Sequence, residues 1–294
     1  MPGWSEINSE MLKLNEQAQR PAFIVGKCNE YLKRISDITG RNVIAYYSGW
    51  LKSNNQEVSI NENDKNAFMN AVFKMDRSKG VDLILHTPGG NIAATESIVG
   101  YLKGLFKNDM RAIIPQISMS AGTMIAMACK EIIMGKQSAL GPIDPQMNGY
   151  AAQMVVEEFY HAAEEIKQKP ETAFLWQKIV EKYPVTFLTQ CQDAISWSEH
   201  LAEIWLKDVN VGIDMKKVKN TFINHKHSYS HSRHFSKEHC LEAGLNVTNL
   251  EDNQDLQDAV LSLHHSFMIL FDITGILKIV MNQDGRNYIR ALKK

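Results

Sequence analysis

Three short apolar runs, 81–85 (VDLIL), 111–117 (RAIIPQI) and 131–134 (EIIM), constrain this chain more than any other feature. Runs without polar alternation suit strands covered on both faces, as in a parallel sheet between helical layers. The segments between them have helical spacing. In 92–106, Thr95, Ile98, Leu102 and Leu105 share one side, and a small-residue helix is expected over 120–129. Upstream, 42–47 (NVIAYY) reads as a strand, and 61–77 places Phe68, Val72 and Met75 on one helical face. Alternating strands and helices form a βαβαβ unit with right-handed crossovers, hence an α/β fold with a parallel sheet.

Around this core the chain divides into an N-terminal arm (1–40), the α/β core (41–150) and a helical region (151–294), expected to pack on the core or on a neighbouring subunit. The helical region carries Trp176, Trp197 and Trp205, a His-rich loop over 225–240, and a long amphipathic tail over 253–294 read as helical. The 32 Lys+Arg against 33 Asp+Glu give a net charge of -1, no footprint for nucleic acid or a membrane surface. Cys28, Cys129, Cys191 and Cys240 include no CxxC pair, which suits reduced thiols and a cytoplasmic location. The first twenty residues lack the apolar core of a signal peptide. The longest apolar stretch, 267–280, is interrupted by Asp272 and Gly275 and is too short to span a bilayer.

Function is most legible in the loops that end two of the strands, because ligands of such sheets bind beyond the strands' carboxyl ends. The first is His86-Thr87-Pro88-Gly89-Gly90-Asn91, whose paired glycines free backbone N–H groups to hold an oxyanion or a phosphate. The same residues also suit a plain tight turn. The second is Ser118-Met119-Ser120-Ala121-Gly122-Thr123, with Ser120 at a strand-to-helix corner and the N–H of Ala121 beside it. That is the logic of a nucleophile elbow, with Ser118 where the first glycine would be. Ser120 is also a plausible N-cap by residue type, and Ser118 is an alternative cap or nucleophile. Side by side, the loops place a hydroxyl next to backbone donors, as acyl transfer requires.

LILHTPGG followed by MSAGTMIAMA resembles the Clp protease/crotonase superfamily. GKQSALGPIDPQ narrows the resemblance to the serine dehydrogenase proteinase (SDH proteinase) family, relatives of signal peptide peptidase A. GRNVIAYYSGWL, WSEHLAEIWL and SHSRHFS extend it over about 40–250. The resemblance implies Clp/crotonase-like repeated β-β-α units with a parallel sheet, followed by a C-terminal helical region. It implies a serine peptidase with Ser120 as nucleophile, Gly89 and Gly90 as the oxyanion loop, and Ala121 N–H as a second donor. Asp144 falls near the position where Clp proteases keep a histidine. Signal peptide peptidases use a downstream lysine, which points to Lys167 or Lys169. Homo-oligomers acting on protein or peptide substrates are further implications.

A serine hydroxyl attacks only when a base takes its proton. Lys169, before Pro170, could do so if burial lowered its pKa; equally it could be a solvated lysine in a charged turn. Five of the ten histidines lie between His225 and His239, and His231 is the rival base, with Asp144 orienting it. His225/His227 and His231/His234 also have the spacing of metal-ligand pairs, but there is no HExxH helix or cysteine pair, and no metal or cofactor is expected. Two other readings stand beside the peptidase. One is a crotonase-type acyl-CoA hydratase or isomerase with Asp144 as acid/base, and the other a non-catalytic pseudoprotease or assembly subunit.

Overall fold

In the computed structural model, which describes residues 3–292, the three apolar runs become adjacent strands. The first two residues of the expected arm and the last two of the tail lie outside the described residues. The chain starts with α1 (Trp4–Leu12) and α2 (Arg20–Thr39), which Gly40 ends at φ +68°, a left-handed conformation glycine adopts without a steric penalty. Then come β1 (Asn42–Ser48), α3 (Asp64–Ala71), β2 (Val81–His86), α4 (Ile92–Phe106) and β3 (Met110–Ile114). The strand expected over 111–117 breaks at Pro115, which has no N–H for a ladder. Its end, β4 (Ile117–Ser118), turns away and precedes α5 (Ala121–Met127), β5 (Glu131–Met134) and β6 (Ala139–Leu140), its parallel partner.

A small hairpin, β7 (Gln146–Met147) and β8 (Tyr150–Ala151), leads into a helical stretch. This comprises α6 (Ala152–Gln168), α7 (Ala173–Val180), α8 (Phe187–Val209), α9 (Met215–Val218), α10 (His225–Ser228) and α11 (Lys237–Glu242). The chain then returns to the sheet through β9 (Val247–Asn249), α12 (Gln254–Ile273), β10 (Ile276–Asn282) and β11 (Asn287–Ala291). The sheet order is β11-β10-β1-β2-β3-β5-β9, with β1, β2, β3, β5 and β9 mutually parallel and β10 antiparallel to both of its neighbours, β1 and β11.

The C-terminal region is therefore not wholly helical. The apolar stretch 267–280 divides at Thr274-Gly275: its first half finishes α12 and its second half, with β-branched Ile276, Ile279 and Val280, joins the sheet. Among the described residues no helix is long and apolar enough to cross a membrane.

Alternate residues of the strands face opposite layers. Val43, Ala45, Tyr47, Ile84 and Ile113 pack against α2 and α12, while Leu83, Leu85, Ala112 and Ile114 pack against α4, α5 and α8. Each fully buried Leu, Ile or Phe in these layers contributes about 1.5–3 kcal/mol. At the amino end of the sheet, buried Asp82 accepts Arg41 Nε at 2.7 Å and Arg111 Nε and Nη2 at 2.8 and 2.7 Å. One carboxylate thus pins β2 to β3 and to the start of β1.

The carboxyl end is different. His86, the last residue of β2, is fully buried among the rings of Tyr47, Trp50 and His264, at centroid distances of 5.4, 6.1 and 5.3 Å. Among the described residues neither ring nitrogen of His86 makes a full hydrogen bond, and only the Ile117 backbone approaches the ring. Burial pushes its pKa down to about 4 and holds that of His264 well below the usual value. Between pH 6.5 and 4 the unfolded chain therefore takes up a proton at His86 that the folded chain refuses. Stability is expected to fall as pH drops through that window, His86 accounting for roughly 3 kcal/mol at its foot. Urea unfolding at pH 7 and pH 5 checks this: His86→Phe should lose less stability than the wild type over that interval.

Candidate active site

The site is assembled where β2 and β4 end. Their loops are joined by Thr87 N donating to Ile117 O (3.3 Å) and Met119 N donating to Thr87 O (2.9 Å). This brings Ser120 against the glycine pair. Ser120 has φ +51° and ψ -119°, a conformation that costs a non-glycine residue about 1–3 kcal/mol and persists only where its surroundings enforce it. Gly122 N donates to Met119 O (2.7 Å), Thr123 Oγ1 to Ser118 O (2.9 Å), and Met124 N to Ser120 O (3.1 Å). The bonds fix the corner from both sides, leaving Ser120 part-exposed and its Oγ without a hydrogen bond among the described residues. The side chain caps no N–H of α5, so the capping role its residue type allowed is not the one it has.

The glycines are required by contact as well as by backbone angle. A Cβ on Gly89 (φ +91°) would lie 2.6 Å from Ser120 Cβ, and one on Gly90 (φ +153°) 2.4 Å from Ile60 N. Ile60 bridges this loop, its N donating to Gly89 O (2.8 Å) and its O accepting Asn91 N (2.9 Å). Gly89 N donates to Thr87 Oγ1 at 3.1 Å. The amides of Gly90 and Ala121 make no such bond among the described residues. Of the two expected glycine donors, the one left free is Gly90.

Ser120, Gly89, Gly90, Ala121 and His231 line a common cleft of about 490 Å³, walled also by Ile143 and Gln146. His231 arrives from the loop after α10, and its Nδ1 lies 2.8 Å from Asp144 Oδ1. Asp144 is 1% exposed, and its Oδ2 accepts from Gln146 Nε2 and lies 2.9 Å from His225 Nδ1. The carboxylate is thus directed at two imidazoles rather than at the cleft.

Other expected residues are placed elsewhere. Lys169 is exposed at the C-terminus of α6 and Lys167 is exposed 3.9 Å from Glu164; neither lines the cleft, and no burial acts on either ammonium. Ser118 is fully buried, and its Oγ has no hydrogen-bond partner among the described residues. His225 and His231 meet on Asp144 rather than pairing with His227 and His234, and no cluster among the described residues is suited to hold a metal ion. Ile60 and the Asp144 contact of His225 were not foreseen. The only sequence signal for His225 was its place in the His-rich loop.

A family model described as a ClpP-like SDH-type serine proteinase matches residues 57–247, which include every residue of this cleft. Two uncharacterised proteins of Methanocaldococcus jannaschii are similar to the chain, 38% identical over 106 residues and 40% identical over 93. These matches cover 36% and 32% of this chain, and the same shares of the relatives' own lengths.

Two substitutions separate the constraints at the corner. Gly89→Ala adds a methyl group where Ser120 Cβ already sits and is expected to destabilise by about 2 kcal/mol or more. Ser118→Ala removes a buried hydroxyl with no partner and should leave stability within about 0.5 kcal/mol of the wild type. Denaturant midpoints measure both.

Proposed function

The chain belongs to the ClpP-like SDH-type serine proteinase family, and from that membership and the cleft's geometry we propose that it hydrolyses peptide bonds through an acyl-enzyme on Ser120. The observation that carries the proposal is that Ser120 and His231 line one cleft while His231 is held from behind by Asp144.

In this reading His231 Nε2 takes the Ser120 proton as Oγ attacks the substrate carbonyl carbon. With Nδ1–H directed to Asp144, the neutral imidazole presents Nε2 as an acceptor, and the carboxylate stabilises the imidazolium that forms. The oxyanion is received by the N–H groups of Gly90 and Ala121, which have no competing bond among the described residues. Collapse breaks the C–N bond, and the leaving amine takes the proton from His231. Water then attacks the ester, giving its proton to His231, and Ser120 is released with its hydroxyl restored.

The crotonase reading needs Asp144 as an acid/base facing substrate; both of its oxygens are instead engaged by imidazoles. A cytoplasmic location fits the four buried, unpaired cysteines. Exposed Tyr160, Phe174 and Leu175 on α6 and α7 supply apolar surface for a homo-oligomer.

A fluorophosphonate probe tests the assignment directly. Ser120→Ala should abolish labelling, and His231→Gln should slow it by about 10²-fold or more. Lys169→Ala should label at the wild-type rate. Intact-mass spectra that still show one probe adduct on Ser120→Ala remove this serine from the mechanism.

A further inference from the structure

Asp144 serves two histidines. Its Oδ1 takes His231 and its Oδ2 takes His225, each through Nδ1, so one buried carboxylate orients both rings and fixes the same tautomer in each. His225 is held for this contact. Its backbone N donates to Gln153 Oε1 of α6 at 2.6 Å, and its carbonyl accepts Tyr229 N at 2.8 Å, where Tyr229 turns the chain at φ +62° toward His231. The side chain of His225 is 17% exposed and lines a cavity of about 1080 Å³ that shares His231 and Gln146 with the serine cleft. His225 is not among the residues lining the serine cleft itself.

We propose that His225 is a positioning residue that divides the support of Asp144 and thereby sets the pH at which His231 becomes able to accept the Ser120 proton. The proposal rests on the peptidase reading and adds to it the control of its base.

The physical argument is one of charge. A single carboxylate can compensate one imidazolium. The two rings therefore compete for the charge of Asp144, and the protonation of one is coupled to that of the other. Even as a neutral donor, His225 occupies Oδ2 and lessens the negative charge that stabilises a protonated His231. The surrounding charges do not replace it in either role. On α6, Glu157 is paired with Lys226 at 3.2 Å and Glu158 accepts from the Tyr183 hydroxyl. His161, also on α6, lines the same cavity, and Arg233 donates to the His227 carbonyl. All of these remain when only residue 225 is changed.

Removing the second imidazole therefore leaves Asp144 to His231 and the neutral Gln146 amide, so that only one titrating ring draws on its charge. The rate of fluorophosphonate labelling is expected to fall with acid in two overlapping steps in the wild type. In His225→Phe it should fall in one step, centred about 0.5–1 pH unit higher. His225→Asn, which keeps a neutral donor near Oδ2 without a titrating ring, should also give a single step, and it stands in if the phenylalanine variant does not fold. A structural role alone would lower labelling equally at every pH. Profiles of both variants that overlay the wild type after scaling overturn the proposal. His231→Gln is the control that keeps the two readings apart. If that variant labels normally, the peptidase reading fails; if it does not label while residue 225 leaves the profile unmoved, only the present inference fails.

Discussion

The site depends on two backbones passing closer than side chains allow. Gly89 and Gly90 run between the Ile60 segment on one side and the Ser120 corner on the other, with no room for a Cβ at either position. The Ile60 segment is in turn held from below. Ser48 Oγ donates to Val58 O (2.7 Å), Lys278 Nζ to Ser59 O (2.8 Å), and Asp64 accepts Asn61 N, the Tyr46 hydroxyl and Lys278. Lys278 and Asp64 are both almost fully buried, and burial lowers the Lys278 pKa against the opposing pull of Asp64. A buried ion pair of this kind adds little net stability over apolar packing, but it does dictate where its partners sit. Here it dictates the height of Ser59 to Asn61, and through Ile60 that of the Gly90 amide.

Lys278 also explains how the C-terminal strands bear on the cleft at the centre of the sheet. It lies on β10, which pairs antiparallel with β1 through Ser48↔Lys278, at the end of β1 nearest the cleft. The last strands thus reach the Gly89-Gly90 loop by two hydrogen-bonded steps, although no residue of β10 lines the cleft. Asp144 works in the same manner on the opposite wall. It is buried and meets the cleft only through the rings it holds, with Gln146 occupying the remaining capacity of Oδ2.

The parallel strands and both loops were legible in the sequence because their signals are local: a run buried on both faces has no polar alternation, and a strained corner needs small neighbours. The C-terminal strands were not, because 267–280 is continuously apolar and periodicity does not separate a buried helix from a buried strand; only Gly275 and the β-branched residues after it mark the change. The contact of His231 with Asp144 was not legible for another reason. Ser120 and the glycines lie on consecutive crossovers, whereas His231 reaches Asp144 only after the intervening helices have folded back over the core. No spacing records that return. Lys169 had the residue type and the neighbouring proline, but α6 carries it out into solvent.

The two ends of the sheet then show a division of labour. At the amino end Asp82 satisfies two guanidinium groups, and the strand starts are fixed by bonds that leave no obvious role for a ligand. At the carboxyl end the chain retains groups that folding alone would satisfy or remove: a serine at positive φ and, among the described residues, two amides without a hydrogen bond, a buried Ser118 hydroxyl without one, and a buried His86 approached only by the Ile117 backbone. Each is destabilising by a few kcal/mol at most, and all are confined to the strand ends that ligands of parallel sheets use. If packing alone had set these residues, alanine at 118 and an apolar ring at 86 would serve better. Their concentration around Ser120 is what sets the carboxyl end of the sheet apart from its fully satisfied amino end.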